Sequence, residues 1–139
     1  MRFDFPRNEI PEGLEKRESH LYSITGLIQY LPSDIPCVAF GGYFRYDLAT
    51  KKICDGQIVD PWGESEILNF GFMDNKILKF DKKYVGRSDI IHYSFKKNKD
   101  GVWEGEYNGK ATGKGLTHCV TLLVDEDAFS IGCGRPDRF

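Results

Sequence analysis

From residue 21 onward, apolar and polar residues alternate in short runs separated by turn chemistry, the period-2 pattern of half-buried strands. The pattern predicts strands at 21–31, 37–48, 52–59, 65–73, 76–81, 89–97, 102–108 and 116–124, with a short ninth at 128–132. Between them stand Pro32 to Pro36, Ala49 to Lys51, Asp60 to Gly63, Asp74-Asn75, Asp81 to Arg87, Lys99-Asp100-Gly101 and the long stretch Asn108 to Gly115. These residues fix turns or tolerate positive φ. Pro11 to Ser19 alone has helical composition, so residues 1–20 are expected to form an arm and residues 21–139 a single β domain.

Register can be read where two strands share a short turn, because both must put their apolar residues on one face. A three-residue loop, Lys99-Asp100-Gly101, sets Tyr93 opposite Tyr107, Phe95 opposite Gly105 and Lys97 opposite Trp103, and leaves Lys96 facing Glu104 and Ser94 facing Glu106. It needs a left-handed residue at its third position, where glycine stands. The same test on Asp74-Asn75-Lys76 pairs Phe70 with Phe80 and Phe72 with Leu78. In 37–48, Val38, Phe40, Gly42, Phe44, Tyr46 and Leu48 fall on one face. Eight short-looped antiparallel strands in sequential order leave no open edge if they close into an up-and-down barrel. The fold class is therefore all-β, an eight- or nine-stranded barrel with a short N-terminal arm.

Composition narrows the functional classes. The 139 residues suffice for one domain, and 19 Lys and Arg against 21 Asp and Glu leave a net charge of −2, without the basic excess of a nucleic-acid binder. No segment approaches the ~20 apolar residues of a membrane helix, and no signal-peptide pattern opens the chain, so a cytoplasmic location is expected. Four cysteines at 37, 54, 119 and 133 show no CxxC or Cys/His spacing. No metal site or cofactor is expected, and the thiols are expected to be reduced and mostly buried. The Gly109 to Gly115 stretch lacks the phosphate-loop spacing and reads as a mobile loop at a barrel mouth, while Lys82-Lys83 and Lys96 to Lys99 read as solvated charges.

The strand order over about residues 21–132, together with Gly101-Val102-Trp103-Glu104-Gly105-Glu106-Tyr107 and its Gly-x-Trp pattern, resembles the calycin group of lipocalin, fatty-acid-binding and avidin barrels. The likeness is one of architecture. Trp103 falls late in the chain, whereas the lipocalin Gly-x-Trp stands at the first strand, so no family site residue is carried over.

The candidate chemistry lies in rings and histidines. Phe40, Phe44, Phe70, Phe72, Tyr93, Trp103 and Tyr107 share apolar faces with Tyr46, Phe80 and Phe95, and would wall either a packed core or a chamber for one small, partly apolar ligand. Glycines 42, 71 and 105 on the same faces favour a chamber. His118, grouped with Leu116, Val120 and Leu122, is expected to point inward as a polar anchor. A small barrel enzyme is the rival reading, with His118 or a His92, Glu104 and Glu106 group as acid and base; His92 itself reads as an exterior residue. A filled barrel acting through its surface is the third. The expected partner is a small molecule, with a homodimer compatible and neither nucleic acid nor membrane implied.

Overall fold

A computed structural model describes residues 19–30, 37–68 and 71–124. Among them run nine strands: β1 (Ser19–Tyr30), β2 (Val38–Asp47), β3 (Lys52–Asp60), β4 (Gly63–Ile67), β5 (Gly71–Met73), β6 (Ile77–Tyr84), β7 (Ile90–Lys97), β8 (Trp103–Gly109) and β9 (Gly113–Leu123). Each pairs antiparallel with its neighbour in the chain, save that β4 and β5 lie end to end between β3 and β6 as one interrupted stave. β9 returns to β1, matching Leu27 with His118 and Tyr22 with Leu123. The result is a closed eight-staved antiparallel barrel, consistent with a calycin-like architecture. No described helix is long and apolar enough to cross a membrane.

The expected strands are found with three corrections. The run 65–73 holds two described strands, β4 ending at Ile67 and β5 beginning at Gly71. β6 continues through Lys82, Lys83 and Tyr84 instead of turning at Asp81. The stretch 108–115 is a tight turn: Gly109 pairs with Gly113, leaving Lys110 to Thr112 as the loop. Asp89 holds that turn, accepting the Ala111 and Thr112 backbone N–H groups and the Thr112 hydroxyl. The helical stretch at 11–19 and the ninth strand at 128–132 lie outside the described residues, apart from Ser19, which with His20 already belongs to β1.

Asp89 yields a pH prediction. The Ala111 N–H, then the Thr112 hydroxyl and further backbone N–H groups of the turn, hold its carboxyl below the usual aspartate value of 3.8, against a smaller opposing effect of desolvation. A depressed carboxylate contributes stability that is present above the unfolded value and lost as pH falls through the folded one. Acid unfolding below about pH 4 should therefore be less steep in Asp89→Ala, as read from melting temperature against pH.

The register at Lys99-Asp100-Gly101 is as the face pattern requires, with Tyr93 on Tyr107, Phe95 on Gly105 and Lys97 on Trp103. Gly101 takes φ +84°. The neighbouring hairpin differs by one residue: Met73 faces Leu78 and Phe72 faces Lys79. The cause is Asp74, whose Oδ1 accepts the N–H of Lys76 and of Ile77 at 2.8 and 2.7 Å and closes a shorter loop. Met73 thereby turns inward and Phe72 takes the outer side with Lys79. In β3 a bulge opposite Arg45 and Tyr46 adds a residue, so that Ile53 and Ile58 are both buried in spite of their odd spacing.

Candidate functional site

The interior is built from alternate residues of every stave. Phe40, Phe44, Tyr93 and Tyr107 point inward as expected, with Phe80 and Phe95. Phe80, Tyr93, Phe95 and Tyr107 are one another's neighbours. Phe80 stacks on Tyr93 at 5.0 Å between centroids, and Tyr93 lies 6.0 Å from Phe95 and 5.8 Å from Tyr107. Tyr22, Phe44 and Tyr46 make a second group, with Tyr22 stacked on Phe44 at 5.5 Å. An eight-strand interior is just wide enough for such filling. The glycines have another role than opening space: a Cβ on Gly105 would lie 1.8 Å from the Ser94 carbonyl oxygen, and one on Gly42 1.9 Å from that of Gln57. They let neighbouring backbones approach.

Several site expectations are corrected. His118 points outward, because β9 turns Thr117 and Cys119 inward and leaves Leu116, His118, Val120 and Leu122 on the outer surface. The outer face of β9 is the more apolar of the two, and the Thr117 hydroxyl is accommodated inside by donating to the Leu27 carbonyl. Phe72 is on the outer side, as above, and Phe70 lies outside the described residues. Leu48 follows the end of β2 and is exposed. Cys37 and Cys54 are exposed, not buried; Cys119 is buried, and burial pushes its thiol pKa up. His92 is exterior as expected, with Nδ1 2.7 Å from Asp81 Oδ1.

His118, Glu104 and Glu106 nevertheless come together, on the outside. They line a groove of about 430 Å3 with Leu27, Gln29, Cys37 and Leu116. His92 is not among them; its cross-strand partner on β8 is Asn108. No group of His, Cys, Asp and Glu among the described residues is arranged to hold a metal ion.

The barrel ends differ. At the first mouth, formed by the turns at 48–51, 74–76 and 98–102, a hollow of about 470 Å3 is lined by Tyr22, Tyr46, Met73 and Trp103, with Lys51, Asp74, Lys97 and Thr121 around it. The Tyr46 hydroxyl donates to the Met73 carbonyl, and the Trp103 Nε1 donates to Thr121 Oγ1 at 3.1 Å, so both rings are oriented by hydrogen bonds. Burial, then the neighbouring Tyr22 and the carboxylates of Asp74 and Asp47, raise the Tyr46 pKa and keep its hydroxyl protonated. Lys97 Nζ stands 4.7 Å over the Trp103 ring.

Beneath the opposite mouth lies a cluster that the sequence reading missed. Lys82, read as a solvated charge, is buried: its Nζ donates to Asp60 Oδ2 at 3.1 Å and to the Tyr84 hydroxyl at 3.3 Å, and the Tyr84 hydroxyl also bonds that carboxylate. Asp60 Oδ1 accepts the Trp62 N–H. Burial pulls the Lys82 pKa down, against the raising effect of Asp60. The signal was parity: Leu78, Phe80, Lys82 and Tyr84 share one face of β6. Above the cluster, Trp62, Tyr84, Arg87 and Asp89 line a smaller hollow of about 290 Å3.

No protein-family model matches the chain, and comparison with curated proteins finds no match either.

Proposed function

We propose that the protein binds one small, partly apolar ligand noncovalently at the first mouth of its barrel. One observation carries this reading. Below the mouth the inward rings pack against each other, whereas at the mouth Tyr22, Tyr46, Trp103 and Met73 line a hollow that no described residue fills, of about 470 Å3, within the ~300–1,000 Å3 of small-molecule sites. Rings held by hydrogen bonds lose little freedom when a ligand settles on them, which favours binding. Of the aromatic set expected to wall the site, Trp103 and Tyr46 line this hollow.

The test is a fluorescence titration with N-phenyl-1-naphthylamine, an uncharged arene, on the wild type and on Leu48→Trp. Leu48 lines the hollow and is 45% exposed, so added bulk there should block the space and alter stability by no more than about 0.5 kcal/mol. Saturable binding lost in the variant supports the reading; equal binding by both proteins, or none by either, rejects it.

A second reading rests on the outer groove, where Glu104 is the cross-strand partner of His118 and a carboxylate beside an imidazole is an acid–base pair. In that case His118→Ala would abolish turnover of a substrate held there and leave arene binding at the mouth unchanged.

A further inference from the structure

We infer that the hollow selects a ligand with an anionic head group on its apolar body, and that Lys51 is held in a strained backbone conformation to meet that group. The inference rests on the reading of the hollow as a ligand site and specifies what enters it.

Lys51 has φ +63°, and among the described residues every other positive φ belongs to glycine. A lysine in the left-handed region crowds its Cβ against the backbone, and its side chain offers no compensating local hydrogen bond of the kind asparagine or aspartate makes. The turn would be built with less strain from glycine. Its geometry is fixed on both sides, since the Lys51 N–H donates to the Asp47 carbonyl at 2.7 Å and its own carbonyl accepts the Met73 N–H at 3.0 Å. These bonds tie the turn to the ends of β2 and β5 and place Lys51 in the wall of the hollow. Strain that persists under such constraint is characteristic of functional positions.

The charge around the hollow points the same way. Lys97 lies against the Trp103 ring, so two ammonium groups accompany the aromatic lining. Neither forms an ion pair with a carboxylate among the described residues. Asp74, the carboxylate lining the hollow, accepts the N–H groups of Lys76 and Ile77, and these bonds, with the nearby charges of Lys51 and Lys76, hold its pKa below the usual value; it stays ionised and offsets one of the two ammonium groups. Lys76 adds a further cation in the same turn, and its carbonyl accepts the Lys97 N–H. Rings that accept an apolar body and ammonium groups that accept a carboxylate or sulfonate define a small amphipathic organic acid.

The experiment compares 8-anilinonaphthalene-1-sulfonate with uncharged N-phenyl-1-naphthylamine, by fluorescence titration at low and high salt, in wild type, Leu48→Trp and Lys51→Gly. Wild type should bind the sulfonate about tenfold more tightly than the amine, an advantage that shrinks with salt. Lys51→Gly should melt about 3 °C higher as strain is released, lose about fivefold in sulfonate affinity and keep its amine affinity. A Lys51→Gly variant that binds the sulfonate like wild type, or melts lower, overturns the inference. Amine binding blocked by Leu48→Trp, with no preference for the sulfonate, overturns the charge selection and leaves the ligand site standing. Binding of neither probe in the hollow overturns both.

Discussion

Asp60→Leu should destabilise the barrel by about 3–5 kcal/mol, the largest loss expected from a single substitution. Asp60 Oδ2 is the carboxylate partner of Lys82 inside the barrel, and both side chains are almost wholly buried. Removing it leaves an amine that must stay charged without a counterion or give up its proton. The penalty therefore depends on pH. With its folded pKa below the unfolded one, the amine binds fewer protons in the folded state, so the variant should gain stability as pH rises toward the ordinary lysine value of 10.5. Lys82→Met should cost less, because Asp60 keeps the Tyr84 hydroxyl and the Trp62 N–H. The double variant should recover most of the loss of Asp60→Leu. Urea unfolding of the four proteins measures the coupling; additive losses would mean that the pair is not buried as described.

Gly105→Ala is the second large effect, expected at about 3 kcal/mol or more. The new methyl would meet the Ser94 carbonyl oxygen at 1.8 Å and the Phe95 Cα at 2.7 Å. Both are backbone atoms of the adjoining stave, so relief requires β7 and β8 to separate, and with them Tyr93 from Tyr107. Gly86→Ala supplies the contrast. At φ +84° with open space around it, its cost is conformational alone, about 1 kcal/mol. Chemical denaturation should rank the two in that order; equal losses would contradict the close approach of β7 and β8.

Both predictions show where sequence reasoning reached its limit. Strand order and the Tyr93–Tyr107 register were legible because alternation and turn chemistry at Gly101 impose the same answer. His118 was misplaced because Leu116, Val120 and Leu122 make the outer face of β9 as apolar as many inner faces, and the hydroxyl of Thr117 concealed the inner one. Phe72 was misplaced because a single aspartate, Asp74, shortened its loop and reversed the parity of the strand. Lys82 was read as solvated from its charge, although its place in the alternation with Phe80 and Tyr84 marks it as interior. Of the mouth, Trp103 and Tyr46 were legible as members of the inward ring set. Tyr22, Lys51 and Lys97 come together only through closure of β1 on β9 and the hairpin ends, which no local pattern specifies.

The two tryptophans lie at opposite ends of the barrel, Trp103 at the first mouth and Trp62 at the other, and provide the most direct test. In a 1H–15N titration with 8-anilinonaphthalene-1-sulfonate, the Trp103 indole resonance should shift to saturation together with the Lys51 and Lys97 amides, while the Trp62 indole stays in place. A shift of Trp62 with Trp103 unmoved, or changes confined to the outer residues around Glu104 and His118, would contradict the account.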